Sequence, residues 1–196
     1  MHRPTGESRL SNTSNNSEFL SQPAVHLALL FGAGVLIGLL HETFRWPLKM
    51  PGHHGLEMMA IMMFARCASG VRYAATSTSL GNVFVSAFFT HELLIQQVIY
   101  VLQGLLIDSL YPKLAAAKDR LNLYLWVLIA GLIAGVAHAI KPVFKWLLKF
   151  NLDFHAGSLV HGLSYPLISH ILFGAVGGIV GAYAWRMYQT ARRKQP

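Results

Sequence analysis

The stretch "AVHLALLFGAGVLIGLLHETF", Ala24 to Phe44, decides the class of fold. From Ala24 to Leu40 it holds no charged residue, and it ends in a polar "HETF". Seventeen to twenty-five residues of this kind are what an α-helix needs to cross the roughly 30 Å hydrocarbon layer of a bilayer. A signal peptide places its apolar core sooner and closes on small residues at a cleavage site. Here a polar, Ser/Asn-rich run of 22 residues comes first, so the sequence predicts a retained span after a cytoplasmic tail.

Working outward, the rest of the chain repeats this texture. Of 196 residues, 54% are hydrophobic and 12% are charged, and the mean hydropathy is +0.43. A soluble domain of this length carries about 25% charged residues. Six apolar segments follow one another: 24–41, 56–65, 73–89, 93–110, 123–140 and 157–185. The expected fold is therefore all-α, a polytopic membrane protein with a compact bundle of about six transmembrane helices in 23–189. Residues 1–22 read as a flexible polar tail and 190–196 as a basic cytoplasmic end. The second segment is short and has to extend through Arg66 to Ser69 or thin the bilayer. The third carries "TSTS" and Asn82, which predicts a face turned to protein or a cavity rather than lipid.

Charge sets the orientation. The net charge of +8 is better explained by basic residues at the ends of spans than by nucleic acid, which is not an expected partner. With six spans and both termini inside, eleven Lys and Arg fall on the cytoplasmic side and five outside. In "KPVFKWLLKF" three of the outer five, Lys141, Lys145 and Lys149, recur every four residues among Val, Phe, Trp and Leu. This predicts a short amphipathic helix lying in the membrane interface. The predicted location is the bacterial cytoplasmic membrane, with N- and C-termini cytoplasmic.

On that topology the outer ends of the spans collect seven of the ten histidines and four of the eight acids. The candidate solute-binding residues are His41, Glu42, His53, His54, Glu57, His91, Glu92, His138 and His161. Polar groups at membrane depth are costly and turn to a cavity or to one another. "HE" closes the first span and opens the fourth, and between them lies "PGHHGLE", Pro51 to Glu57. Gly52 and Gly55 permit a tight turn around the paired imidazoles, and such a loop can fold over a pocket as a lid. Imidazole with carboxylate suits divalent transition metals such as nickel, cobalt or zinc, for which His53, His54, Glu57 and His91 are the candidate ligands. The alternative is that these histidines bond headgroups, carbonyls and each other. His138 with Lys141 one turn later could equally hold an organic anion. Met58, Met59, Met62 and Met63 read as adaptable packing rather than a copper site. Cys67 is the single cysteine and excludes a disulfide within the chain.

No GxxxxGK[ST], HExxH or GxSxG is present, so no catalytic activity is expected, and uphill movement of a solute would draw on a partner or an ion gradient. Small residues spaced by four, at Gly34 and Gly38, Gly131 and Gly135, and Gly177 and Gly181, let helices approach closely within the bundle or against a partner subunit.

These residues together resemble the substrate-binding S components of energy-coupling factor importers, which are six-helix membrane subunits. "GAGVLIG" is similar to their docking surface for the transmembrane coupling protein. "PGHHGLEMMAIMMFAR" and "SHILFGAVGGIVGAYAW" are similar to segments of uncharacterised S-component-like proteins. The resemblance covers about 24–185. It implies a transmembrane coupling protein and two cytoplasmic ATPases as partners, and a small solute, a metal ion or a vitamin-like molecule, near the outer helix ends. Nickel and cobalt members use a histidine at position 2 on an extracellular N-terminus; His2 lies inside on this topology, and that role is not carried over. Two other readings stand beside it. One is a membrane anchor for haem or quinone, with His138 and His170 as a facing pair. The other is a stand-alone nickel or cobalt permease built around "HHGLEMMA".

Overall fold

A computed structural model describes residues 23–43, 50–90, 94–152 and 162–194. Among these residues there are six helices and no strands. They are α1 (Pro23–Thr43), α2 (Gly55–Ala68), α3 (Ala74–Val85), α4 (Leu94–Ala116), α5 (Leu123–Leu152) and α6 (Ser164–Arg193), and a π-helical turn, Ser86–Thr90, prolongs α3. α1, α4, α5 as far as Leu148, and α6 are long and apolar enough to cross a bilayer, which makes this a helical membrane protein. α2 has 14 residues, about 21 Å, and falls short of the hydrocarbon thickness. It is well enclosed, with Met58, Met59, Met62 and Met63 all buried in the core.

One segment differs from expectation. "KPVFKWLLKF" does not form a helix of its own but continues α5 without a break. Pro142 lies inside that helix. A proline there has no N–H to give the carbonyl four residues earlier, here that of His138. Gln103 Nε2 reaches the same carbonyl at 3.5 Å. A donor from α4 thus comes to the acceptor that would otherwise be stranded, and the helix carries on. The C-terminal basic run is likewise helical as far as Arg193.

Lipid gives no hydrophobic force between helices, so close backbone contact has to hold them. The glycines supply it. A Cβ on Gly34 would overlap the carbonyl of Thr78, and one on Gly38 the side chain of Val85 further along both helices, so α1 and α3 run parallel and in close contact. Gly177 meets Leu56 and Gly181 meets Ala60 in the same way, which sets α6 parallel to α2. Gly131 faces Ala175 and Ile179, Gly135 faces Ile171, and Gly178 faces Ala134, which makes α5 and α6 antiparallel. All six glycines singled out in the sequence are therefore covered inside the bundle. Gly32 has nothing near it.

The helices fall into two trios. α1 packs chiefly on α3 and α3 on α4; α2 packs chiefly on α6 and α6 on α5; α4 against α5 joins the two. The helix directions bring the start of α1 and the end of α6 to the same end of the bundle. Buried polar contacts concentrate where the trios meet. At the end holding the start of α1, Arg66 Nε of α2 lies 3.0 Å from Asp108 Oδ1 of α4, with both side chains buried. The two are an ion pair off the hydrogen-bond line. Asp108 also accepts from Ala75 N at 3.1 Å, Thr76 N at 2.8 Å and Thr76 Oγ1 at 2.7 Å, and so caps first-turn amides of α3 that have no acceptor within the helix. Arg66 donates to the carbonyls of Ser69 and Val71 and stacks 4.3 Å over the Tyr111 ring. The guanidinium is thus enclosed at this end of the bundle.

Candidate functional site

The opposite end of the bundle gathers imidazoles. Helix α1 delivers His41 in its last turn, and the turn before α2 delivers His53 and His54. The local sequence dictates that turn. Gly52 has φ +83, a left-handed conformation that favours glycine. Its carbonyl then accepts from Gly55 N at 2.8 Å, and Leu56 N bonds His53 O at 3.1 Å, so the chain passes straight into α2. His53 Nδ1 lies 2.7 Å from Met50 O and braces the turn.

His54 Nδ1 stands 3.0 Å from Glu57 Oε1, one helical turn away on the same face. The His54 ring packs at 4.1 Å from the His41 ring and at 3.9 Å from the His53 ring, centroid to centroid. One ligand atom each from His41, His54 and Glu57 lie within 4.8 Å of one another. Tetrahedral ligands at 2.0–2.1 Å from an ion stand about 3.4 Å apart, so moderate side-chain rotation closes the set on an ion. His53 Nε2 is buried with no hydrogen-bond partner directly beside it. The His41, His53 and His54 rings thus lie directly against one another. A cavity of about 680 Å³ lies elsewhere, along α4, lined by Arg72, Tyr73, Asp108 and apolar side chains.

Under the turn lies a second pair. His138 of α5 and His170 of α6 stack with centroids 4.8 Å apart and planes 27° from parallel. His138 Nε2 is 3.3 Å from Gly52 O, and a Cβ on Gly52 would sit 2.8 Å from His170 Cγ. The loop thus rests on these two rings through its glycine. His138 Nδ1 faces Gln103 Nε2 of α4 at 3.4 Å, and His170 Nδ1 lies 2.7 Å from Pro166 O. Haem held between two histidines needs both rings end-on to the iron. Stacked faces with nitrogens on backbone carbonyls do not offer that.

Of the sequence candidates, then, His41, His53, His54 and Glu57 come together, with His138 just beneath. Glu42 follows His41 but stays outside the three-residue set. His91, Glu92 and His161 lie outside the described residues. The metal set read from sequence lacked His41. The last span, drawn from 157 in the sequence, is helical from Ser164, which places His170 about two turns from the start of α6. Gln103 and Asp108 were not singled out at all. A lone glutamine or aspartate in an apolar run is itself a signal, since burying it requires a partner.

Comparison with family models, curated proteins and solved structures gives no match for this chain.

Proposed function

We propose that this chain is the membrane-embedded solute-binding subunit of an importer, and that its solute is a first-row divalent transition-metal ion. The observation that carries the reading is the convergence of His41 from α1 with His54 and Glu57 from α2 at one end of the bundle. Two imidazoles and one carboxylate form a borderline donor set suited to zinc, nickel or cobalt. Their close packing favours an ion over a vitamin-like molecule.

In this reading the histidine end faces outward, which follows from the excess of basic residues at the other end. All six helices sit in the membrane, with the short α2 enclosed by its neighbours. His54 and Glu57 grip the ion first, since both belong to one turn, and His41 closes from the other trio. Energy for transport comes from a transmembrane coupling protein and cytoplasmic ATPases, as the resemblance to S components implies; the chain itself has no nucleotide-binding loop.

The test is metal analysis and calorimetric titration of detergent-purified chain, wild type against H41A/H54A/E57A. The reading expects an ion whose tight binding is lost in the triple variant. Unchanged binding refutes it. Co-purification of a coupling protein and ATPases from the native membrane tests the importer role.

A further inference from the structure

Directly below the turn, three acceptors meet around one point with too few donors to satisfy them. The first is the carbonyl of His138, which Pro142 deprives of its helical N–H. The second is His138 Nδ1. The contact of its Nε2 with Gly52 O fits the tautomer carrying the proton on Nε2, which leaves a lone pair on Nδ1. The third is Gln103 Oε1, fully buried and without any hydrogen-bond partner. Gln103 Nε2 reaches both of the first two, at 3.5 and 3.4 Å, and both are long for hydrogen bonds. Buried polar atoms are nearly always satisfied, and an orphan at the centre of a bundle calls for an explanation.

We infer that His138, His170 and Gln103 form a second, deeper binding site for a divalent transition-metal ion. Rotating the Gln103 amide by half a turn exchanges its oxygen for its nitrogen. Oε1 then stands about 3.4 Å from His138 Nδ1, the separation of two ligands around an ion with bonds of about 2.1 Å. The amide and the imidazole thereby pass from a poor hydrogen bond to a chelating pair. Both histidines already have the outer partners that metal-binding imidazoles need, since a ligating histidine donates its other N–H to a carbonyl or carboxylate. His138 has Gly52 O on Nε2, and His170 has Pro166 O on Nδ1, leaving His170 Nε2 for the ion.

The donors come from both trios, Gln103 from α4 and the histidines from α5 and α6. The outer set is built likewise, from α1 and α2. Two donor sets therefore follow one another along the line where the trios meet, one above Gly52 and one below it. The lower set has no carboxylate, and Lys141 of α5, whose Nζ lies 5.5 Å from the Tyr100 ring centre, is one turn from His138. It therefore binds a cation more weakly than the Glu57 set. A station on a transport path has this property, because an ion has to leave it again.

The site rests on the metal reading given above, and the test separates the two. Cobalt(II) is titrated into detergent-purified full-length chain, followed by calorimetry and by its visible absorption, with circular dichroism and size exclusion as checks of folding. The wild type is expected to take two ions, and H41A/H54A/E57A to keep one. In that background Gln103→Glu, which preserves side-chain size and adds a charge, tightens the remaining ion by about tenfold or more, while His170→Ala releases it. A folded triple variant that takes no cobalt overturns the deeper site and leaves the outer one standing. A single wild-type ion that survives the triple substitution supports the deeper site and overturns the outer. No cobalt on the wild type overturns both. Should the triple variant fail to fold, Gln103→Glu in the otherwise native chain decides: a stronger weak-site isotherm supports the inference and an unchanged one overturns it.

Discussion

Substituting Asp108 by asparagine should cost the bundle about 3 kcal/mol, because the carboxylate does two jobs at once. As a cap it takes three bonds from the start of α3, at 2.7 to 3.1 Å. Asparagine keeps one acceptor oxygen, so part of the cap survives, and its loss amounts to about 1 kcal/mol. As an anion it balances Arg66, whose side chain is only 8% exposed. Removing one partner of a buried pair costs about 3–5 kcal/mol, since the other charge is left stranded. Arg66 is partly relieved by the Ser69 and Val71 carbonyls and the Tyr111 ring, which brings the electrostatic share down to about 2 kcal/mol. Arg66→Met alone should cost about 2–3 kcal/mol, since the carboxylate keeps its amide donors. The double variant R66M/D108N has no charge left to strand. It should lose only about 2 kcal/mol, which gives a coupling energy of about 3–4 kcal/mol. Reversible unfolding in mixed micelles, followed by tryptophan fluorescence and circular dichroism, measures all four corners of the cycle. Additive costs in the double variant would refute the pairing across the two trios.

Other outcomes follow from the same geometry. Gly34→Ala should destabilise the bundle by about 2 kcal/mol or more in the same assay, because its methyl runs into the Thr78 carbonyl, whereas Gly32→Ala, with nothing within 4 Å, should be neutral or gain up to about 1 kcal/mol of helix propensity. Gly52→Ala forces a left-handed φ on an L side chain and presses on His170; about 1–2 kcal/mol of strain should appear as roughly tenfold weaker metal binding by calorimetry. Purified chain should show no Soret band after incubation with haemin, because the His138 and His170 rings stack face to face. A sharp band abolished by His170→Ala would contradict that arrangement.

Much of the frame can be read from periodicity and hydropathy. The second segment does run on past Arg66, to Ala68, yet its 14 residues still fall short of a full span. The prediction that "TSTS" and Asn82 turn inward is met by buried Thr78, Ser79 and Asn82, two of which return their hydroxyls to carbonyls four residues back. The loop around His53 and His54 is legible because glycine and proline mark turns by their own backbone limits. Pairings between distant residues are not legible in this way. Nothing local links Arg66 to Asp108 or Gln103 to His138; each pair meets only once α4 has been laid between α3 and α5. The start of the last helix, drawn at 157 and observed at Ser164, is not legible either, since an apolar flank extends a hydropathy window whether or not it is helical. The separate interfacial helix was lost to Pro142, which normally breaks a helix and here does not.

The glycine contacts have a mechanical consequence. Within each trio, main chain lies on main chain over several turns, and such surfaces cannot slide without collision. Between the trios, long side chains bridge the gap through ionic, aromatic and imidazole groups, all of which can swing on their rotors and re-form. Any reshaping of this molecule should therefore appear as two stiff blocks tilting against a compliant joint, with distances inside each block unchanged.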